Sequence, residues 1–394
     1  MKYCTRCVQP DTRPGIQFNS DGVCGACQWE DEKKTIDWAE RTRQALDIAG
    51  WAKDQRRPYD CAIGVSGGKD STRQALWARD TLGLHCLLVN AAPVGISQTG
   101  AHNVNNLKEQ GFDMIQIHPN PVLFREMQRM SFDKFASNGR IAELYLYAST
   151  NIIAQKFSIP LVIQGENSAL TLGTTGLMSR GDDALDVANL DTLSKGIQPF
   201  IDEGVAEKDL YLYAFDPQVM RDQGIRGMYM QYYDKDWSPR FNYKFSKEHG
   251  LKQRPRHACY KPDAIGTYVR YFQMDGDGVH VNQMLKHIKF GFGQCTDHAC
   301  YDIREGLITR AQGAWLVKQY DGKCADEHIA DYCRSIGISM THFSEVAEKW
   351  RGPMWRNGAL DDPIWEQVTP VPYYEPQPRP FGNVDIKSYG PEDG

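Results

Sequence analysis

The chain has 394 residues, 41% of them hydrophobic, which suits two or three units with ordinary cores and excludes global disorder. Forty-five basic against fifty acidic side chains leave a net charge of −5, which gives no support to a nucleic-acid partner. No apolar run approaches the ~20 residues of a membrane span. The opening MKYCTRCVQP lacks an apolar leader, so a cytoplasmic protein with no membrane partner is expected.

Residues 1–30 are rich in Cys, Gly, Pro and Asp and cannot build a core by burial alone. Residues 31–50 read as an amphipathic helix with Ile36, Ala39, Thr42 and Leu46 on one face and Gly50 as its stop. Strands are expected at 60–66, 85–90, 114–117 and 159–163, with helices at 71–82 (Leu76 and Trp77 inward), 100–111, 122–136 and 141–157. Strands alternating with helices predict an α/β domain with a mostly parallel sheet. Residues 228–245 are dense in aromatics, which read either as packed core or as a stacking surface for substrate. Helices are expected at 279–290, 303–319, 324–337 and 342–351, and an extended Pro-rich tail at 369–394. The expected units are a ribbon plus linking helix (1–50), a nucleotide-binding domain (51–225), a helical substrate or partner region (226–368) and the tail.

Eleven cysteines include two C-x-x-C pairs, Cys4/Cys7 and Cys24/Cys27, sixteen residues apart. That spacing is a zinc-ribbon pattern, in which four thiolates close a tetrahedron and leave no open position for water, so the metal is structural. Unmetallated thiols and an iron–sulfur cluster are the alternatives. Such coordination also explains how so core-poor a segment folds.

The run Ser66-Gly67-Gly68-Lys69-Asp70-Ser71 leaves a strand and opens a helix. Two glycines let backbone approach an anion, the helix N-terminus attracts it, and Lys69 adds full charge. It is not a Walker A loop, because Ile63 stands where that pattern needs Gly and Asp70 where it needs Ser or Thr.

The SGGKDS run resembles the PP-loop of the ATP pyrophosphatase superfamily (adenine nucleotide alpha hydrolase-like), which includes asparagine, GMP and NAD synthetases and tRNA thiolases. The resemblance implies ATP and Mg²⁺ at Ser66, Gly67, Gly68, Lys69, Asp70 and Ser71, with the strand ending at Asn90 against the adenine. The ribbon, the PP-loop, Gly165-Glu166-Asn167, the Lys289-Phe-Gly-Phe-Gly293 to Thr296-Asp297 block and Ile308-Thr-Arg310 together resemble the N-acetyl sugar amidotransferases. These include enzymes that form acetamidino sugars in bacterial surface glycan (LPS O-antigen) biosynthesis. Cys295 stands where a basic residue is expected.

That resemblance implies adenylation of an acetamido oxygen on a nucleotide sugar or sugar acid, followed by displacement of AMP by ammonia. Lys69, Asp70 and Glu166 are the expected catalytic residues. Asp70 reads as a metal ligand or as a helix N-terminal carboxylate, and Glu166 as a metal, ribose or ammonia contact or as a turn cap. Gly165 is assigned to the ATP site. Asn167, Lys289, Arg304 and Arg310 are assigned to substrate, against the alternative of surface cations for the three basic residues. The histidines His257, His280, His287 and His298 read as structural or exposed. No glutaminase signature is present, so the resemblance implies ammonia from a glutaminase and a channelling subunit related to imidazole glycerol phosphate synthase. The rival reading, a tRNA thiolase or lysidine-type synthetase, lacks a basic aromatic-interleaved tract and a second C-x-x-C pair near the site. A non-enzymatic adapter would be expected to carry a damaged loop, and this loop is intact.

Overall fold

The computed structural model describes residues 1–355. The expected tail at 369–394 lies outside the described residues. Five strands, β1 (Cys61–Gly64), β2 (Cys86–Ala91), β3 (Asp113–Ile117), β4 (Leu161–Gln164) and β5 (Arg226–Tyr229), form one sheet in the order β3-β2-β1-β4-β5. Every neighbouring pair is parallel. Both faces are covered, so the central strands are apolar on both sides. Cys61 and Ile63 point into one core with Leu88 and Met228, while Ala62, Leu87 and Val162 point into the other with Met220 and Ile225.

Helix α1 (Gly25–Glu32) follows the second cysteine pair, and α2 (Trp38–Asp54) leads to the sheet. The expected single helix over 31–50 is therefore two. Asp37 caps α2 by accepting from Glu40 N, and the helix runs through Gly50 to bury Ala45, Ile48, Ala49 and Ala52. Leu46 is exposed, because the Ile48–Ala52 stripe faces the sheet instead. Then come α3 (Lys69–Leu76), which continues as a π-turn over Trp77–Thr81, α4 (Gln98–Glu109), α5 (Pro121–Phe135) and α6 (Gly139–Lys156). Leu76 is buried as expected, whereas Trp77 is only half-buried.

The sheet gains β5 beyond residue 225, where the nucleotide-binding unit was expected to end. Helix α7 (Pro239–Glu248) then packs on α3. Most of the aromatic stretch is packed core: Met228, Tyr233 and Tyr243 are buried, and Tyr243 stacks on Tyr271 at 4.2 Å. The longer helices that follow are α8 (Gly278–Phe290), α9 (Gln294–Arg304), α10 (Arg310–Tyr320), α11 (Asp326–Ile336) and α12 (Met340–Lys349). The helix expected over 303–319 breaks at Gly306, whose φ is +72°, and restarts at a Thr309/Gln312 capping box. The cysteine ribbon is not a free-standing unit. It shares one core with Tyr268, Val269, Cys295, Ala299, Cys300 and Leu316. No described helix is long and apolar enough to cross a membrane.

Candidate active site and metal centre

The strand order reverses between β1 and β4, and in such sheets ligands bind beyond the carboxyl ends at that point. SGGKDS follows β1, and Gly165-Glu166-Asn167 follows β4. A cavity of about 630 Å³ opens there, within the size range of small-molecule sites. Ser66 to Ser71 and Glu166 line it together with Lys289, Asp297, His298 and Tyr301 from α8 and α9.

The loop geometry follows from its glycines. Gly67 has φ +79°, and a Cβ there would lie 2.7 Å from Val104 N. Gly68 caps α3 and its N–H donates to Ser66 Oγ at 3.3 Å. Lys69 Nζ bonds Asp70 at 2.6 Å and lies 3.7 Å above the Phe272 ring. Helix α7 fastens the loop from behind: Asn242 Nδ2 donates to Asp70 at 2.7 Å and Ser246 Oγ to Lys69 O at 2.7 Å. Arg73 on α3 pairs with Asp234 and Asn242.

Burial, aided by the Asp70 carboxylate and opposed by Lys69, pushes Glu166 up to about 7. A carboxylate tuned to that value suits proton transfer near neutrality. Lys289 is lowered to about 8 by burial and by Arg140, and its Nζ donates to Phe135 O at 2.8 Å. It stands on the cavity wall.

Five assigned residues stand elsewhere. Asn90 is fully buried; it donates to Val65 O at 2.7 Å and accepts from Gln116, tying β1, β2 and β3. Gly165 lies under Trp237, whose ring a Cβ would approach to 2.7 Å. Asn167 caps the turn after β4: its Oδ1 accepts from Ala169 N, and its Nδ2 donates to Ser179 O and Gly181 O. Arg310, off the cavity wall, donates to Cys7 O at 2.9 Å and to Cys4 O at 2.7 Å, which clamps the ribbon. Arg304, also absent from the cavity wall, donates to Thr171 O and couples electrostatically to Cys7, Cys24 and Cys27.

The sequence reasoning assigned no role to Arg13, Arg140, Lys286 or Asp297, all of which line the cavity. Arg13 and Lys286 both pair with Asp297 and hold it below the usual carboxylate range against the burial that would raise it. The Thr296-Asp297 pair within the quoted block was the available signal. His298 is buried on the wall beside Thr267 Oγ1 at 2.6 Å, and burial lowers it to about 3, so it is neutral at physiological pH.

The four ribbon sulfurs lie within 4.8 Å of one another, with Cys4 and Cys27 3.9 Å apart and Cys7 and Cys24 3.7 Å apart. A tetrahedron with metal–sulfur bonds of about 2.3 Å has edges of about 3.8 Å, so the set fits one ion. Backbone N–H groups of Arg6 and Cys24 point at Cys4 Sγ, as they do for a thiolate. Among the described residues this is the one group of three or more His, Cys, Asp or Glu side chains that could hold a metal.

Among the solved structures similar to the chain are two synthetases. An NH3-dependent NAD synthetase from Campylobacter jejuni in complex with the nitrate ion is 17% identical with a TM-score of 0.30, over 52% of this chain and 98% of its own. An NMN synthetase from Francisella tularensis is 15% identical with a TM-score of 0.26, over 56% of this chain and all of its own. No curated protein matches the chain. Residues 265–368 match the C-terminal domain of the LPS biosynthesis protein WbpG-like family, and the block from Lys289 to Arg310 that carried the resemblance lies inside the match. The cavity is thus walled on one side by the SGGKDS loop on a parallel sheet and on the other by residues within the segment that matches the WbpG-like C-terminal domain model.

Proposed function

We propose that the chain is an ATP-dependent, AMP-forming amidotransferase that converts an acetamido group of a sugar into an acetamidino group in surface glycan synthesis. The observation that carries this reading is the shared cavity: the SGGKDS loop, Glu166 and the basic wall of the WbpG-like domain face one space.

The loop amides and Lys69 bind the phosphates of ATP. The acetamide oxygen attacks the α-phosphorus and pyrophosphate leaves. An imidate-like carbon results, whose C–O bond can break. Ammonia attacks that carbon, and AMP departs with the former acetamide oxygen. Glu166, tuned to about 7, takes the proton that ammonium must lose first. Lys289 meets the acidic part of the nucleotide sugar or sugar acid. Asp70 is the residue that would hold Mg²⁺, which supplies charge neutralisation on the phosphates. Zinc is the ion proposed for Cys4, Cys7, Cys24 and Cys27, in a structural role. Ammonia is supplied by glutaminase and channelling subunits related to imidazole glycerol phosphate synthase.

The test is incubation with ATP, Mg²⁺, ammonium and a panel of N-acetylated nucleotide sugars and sugar acids, read by mass. Replacing C=O by C=NH lowers the mass by about one unit. That product, with AMP and pyrophosphate, is expected, and Lys69→Ala and Asp70→Ala should abolish it. AMP formation that depends on tRNA instead of a sugar would replace this reading with a tRNA-modifying one.

A further inference from the structure

We propose that Arg13 and Lys286 form a second anion subsite in the cavity, and that the metal-stapled ribbon is what carries Arg13 there. The proposal rests on the amidotransferase reading only for the name of the anion.

Arg13 belongs to the ribbon segment, six residues after Cys7. Lys286 belongs to α8, and both line the cavity that also holds Lys69. They converge on a single carboxylate, Asp297, with Lys286 Nζ at 2.8 Å. They also share one aromatic surface: the Arg13 guanidinium lies 4.4 Å and Lys286 Nζ 5.1 Å from the centroid of Phe292. Asp297 is shared between the two cations, and Glu143 on the same wall and Asp321 also act on Lys286. Arg13 is 8% exposed, and its buried Nε has no hydrogen-bond partner. A guanidinium fixed by a ring and a carboxylate, with a donor to spare, is pre-organised for a phosphate or carboxylate.

The ribbon holds Arg13 in place through contacts on both sides. Arg310 clamps the carbonyls of Cys4 and Cys7, Thr12 Oγ1 donates to Phe290 O, and Gly176 N donates to Gly15 O at 2.9 Å. Without the ion, the segment keeps these contacts but loses the link between its two cysteine turns, and the position of Arg13 loosens.

Two anions have the right chemistry, the pyrophosphate half of ATP and the acidic group of the acceptor. The experiment measures equilibrium binding of inorganic pyrophosphate and, separately, of UDP-N-acetylglucosamine to the full metal-loaded chain. The variants are Arg13→Gln, Arg13→Lys and Lys286→Met, with zinc content measured on each. The expected result is a tenfold or greater loss for one probe in Arg13→Gln and Lys286→Met, partial recovery in Arg13→Lys, and unchanged zinc. Loss for pyrophosphate assigns the subsite to ATP, and loss for the nucleotide sugar assigns it to the acceptor. Chelating the metal should weaken that same probe in the wild type and add little in Arg13→Gln. Unchanged binding of both probes in Lys286→Met, which leaves the ribbon intact, overturns the subsite. An equal further loss on chelation in Arg13→Gln overturns the ribbon's role. Anion binding that depends on Arg13, in a protein that never forms an amidine, keeps the subsite and removes the amidotransferase reading.

Discussion

Arg310 reaches back across the chain to Cys4, donating from Nη2 to the carbonyl at 2.7 Å while its Nε donates to Cys7 O. The first C-x-x-C turn is thereby bolted to the start of α10. A charged donor to a carbonyl in a partly buried setting contributes about 1.5–3 kcal/mol.

Arg310→Ala should therefore loosen the metal site, although Arg310 itself does not line the cavity. The expected outcome is faster zinc loss to a chelator and a midpoint lower by a few degrees. Zinc release followed with a colorimetric chelator checks this, and wild-type release kinetics in the variant would refute it.

Glu166 gives a pH signature in two readouts. Its folded value of about 7 lies above the ordinary 4.5, so the unfolded chain ionises first as pH rises. Stability assigned to this group is whole below pH 4.5 and is lost between 4.5 and 7. Glu166→Gln should then unfold a few degrees higher than wild type at pH 8 and show no such gain at pH 4.5. Activity moves oppositely in the wild type, rising about tenfold per unit up to pH 7 as the base forms, and the variant should lose that limb. Thermal melts and rate profiles across this range separate the two effects.

Gly67 admits no side chain. Its φ of +79° is costly for any L-residue, and a Cβ would press on Val104 N and on the Asn103 carbonyl carbon at 2.9 Å. Gly67→Ala should weaken ATP binding by tenfold or more through displacement of the loop from α4. Ala at Gly50, where nothing stands within 4 Å, should leave binding unchanged and raise stability slightly. Isothermal binding of MgATP to both variants checks the contrast.

The sheet and the SGGKDS loop were legible because their signals are local. Short β-branched runs, a Gly-Gly turn and a following helix lie within about fifteen residues of one another, and C-x-x-C spacing encodes a turn directly. The roles of the arginines were not legible. Arg310 meets Cys7 across 303 residues of sequence and Arg13 meets Asp297 across 284. No periodicity reports such pairings. A basic residue near a family motif was therefore assigned to substrate when its carbonyl partners lay in the ribbon, and one in the ribbon was passed over although it faces the cavity. The break at Gly306 was within reach, since Gly followed by Thr-x-x-Gln is a stop and a capping box.

Asn242 offers the most selective test of the loop's carboxylate. Its Nδ2 holds one oxygen of Asp70 at 2.7 Å while Lys69 holds the other at 2.6 Å. The same Asn242 accepts from Arg73, which is tied in turn to Asp234. Asp70 thus faces the cavity in one orientation set from α7. Asn242→Leu keeps the branched shape, with slightly more bulk, but removes both bonds, leaving Asp70 free to turn and Arg73 short of one acceptor. The fold should survive, because α7 still packs on α3 and Ser246 still holds the Lys69 carbonyl. If Asp70 holds Mg²⁺, the concentration of Mg²⁺ giving half-maximal rate should rise several-fold, with the apparent affinity for the sugar unchanged. A drop in maximal rate at unaltered Mg²⁺ dependence would instead mean that Asn242 acts by orienting Lys69 through their common carboxylate, and would detach Asp70 from the metal.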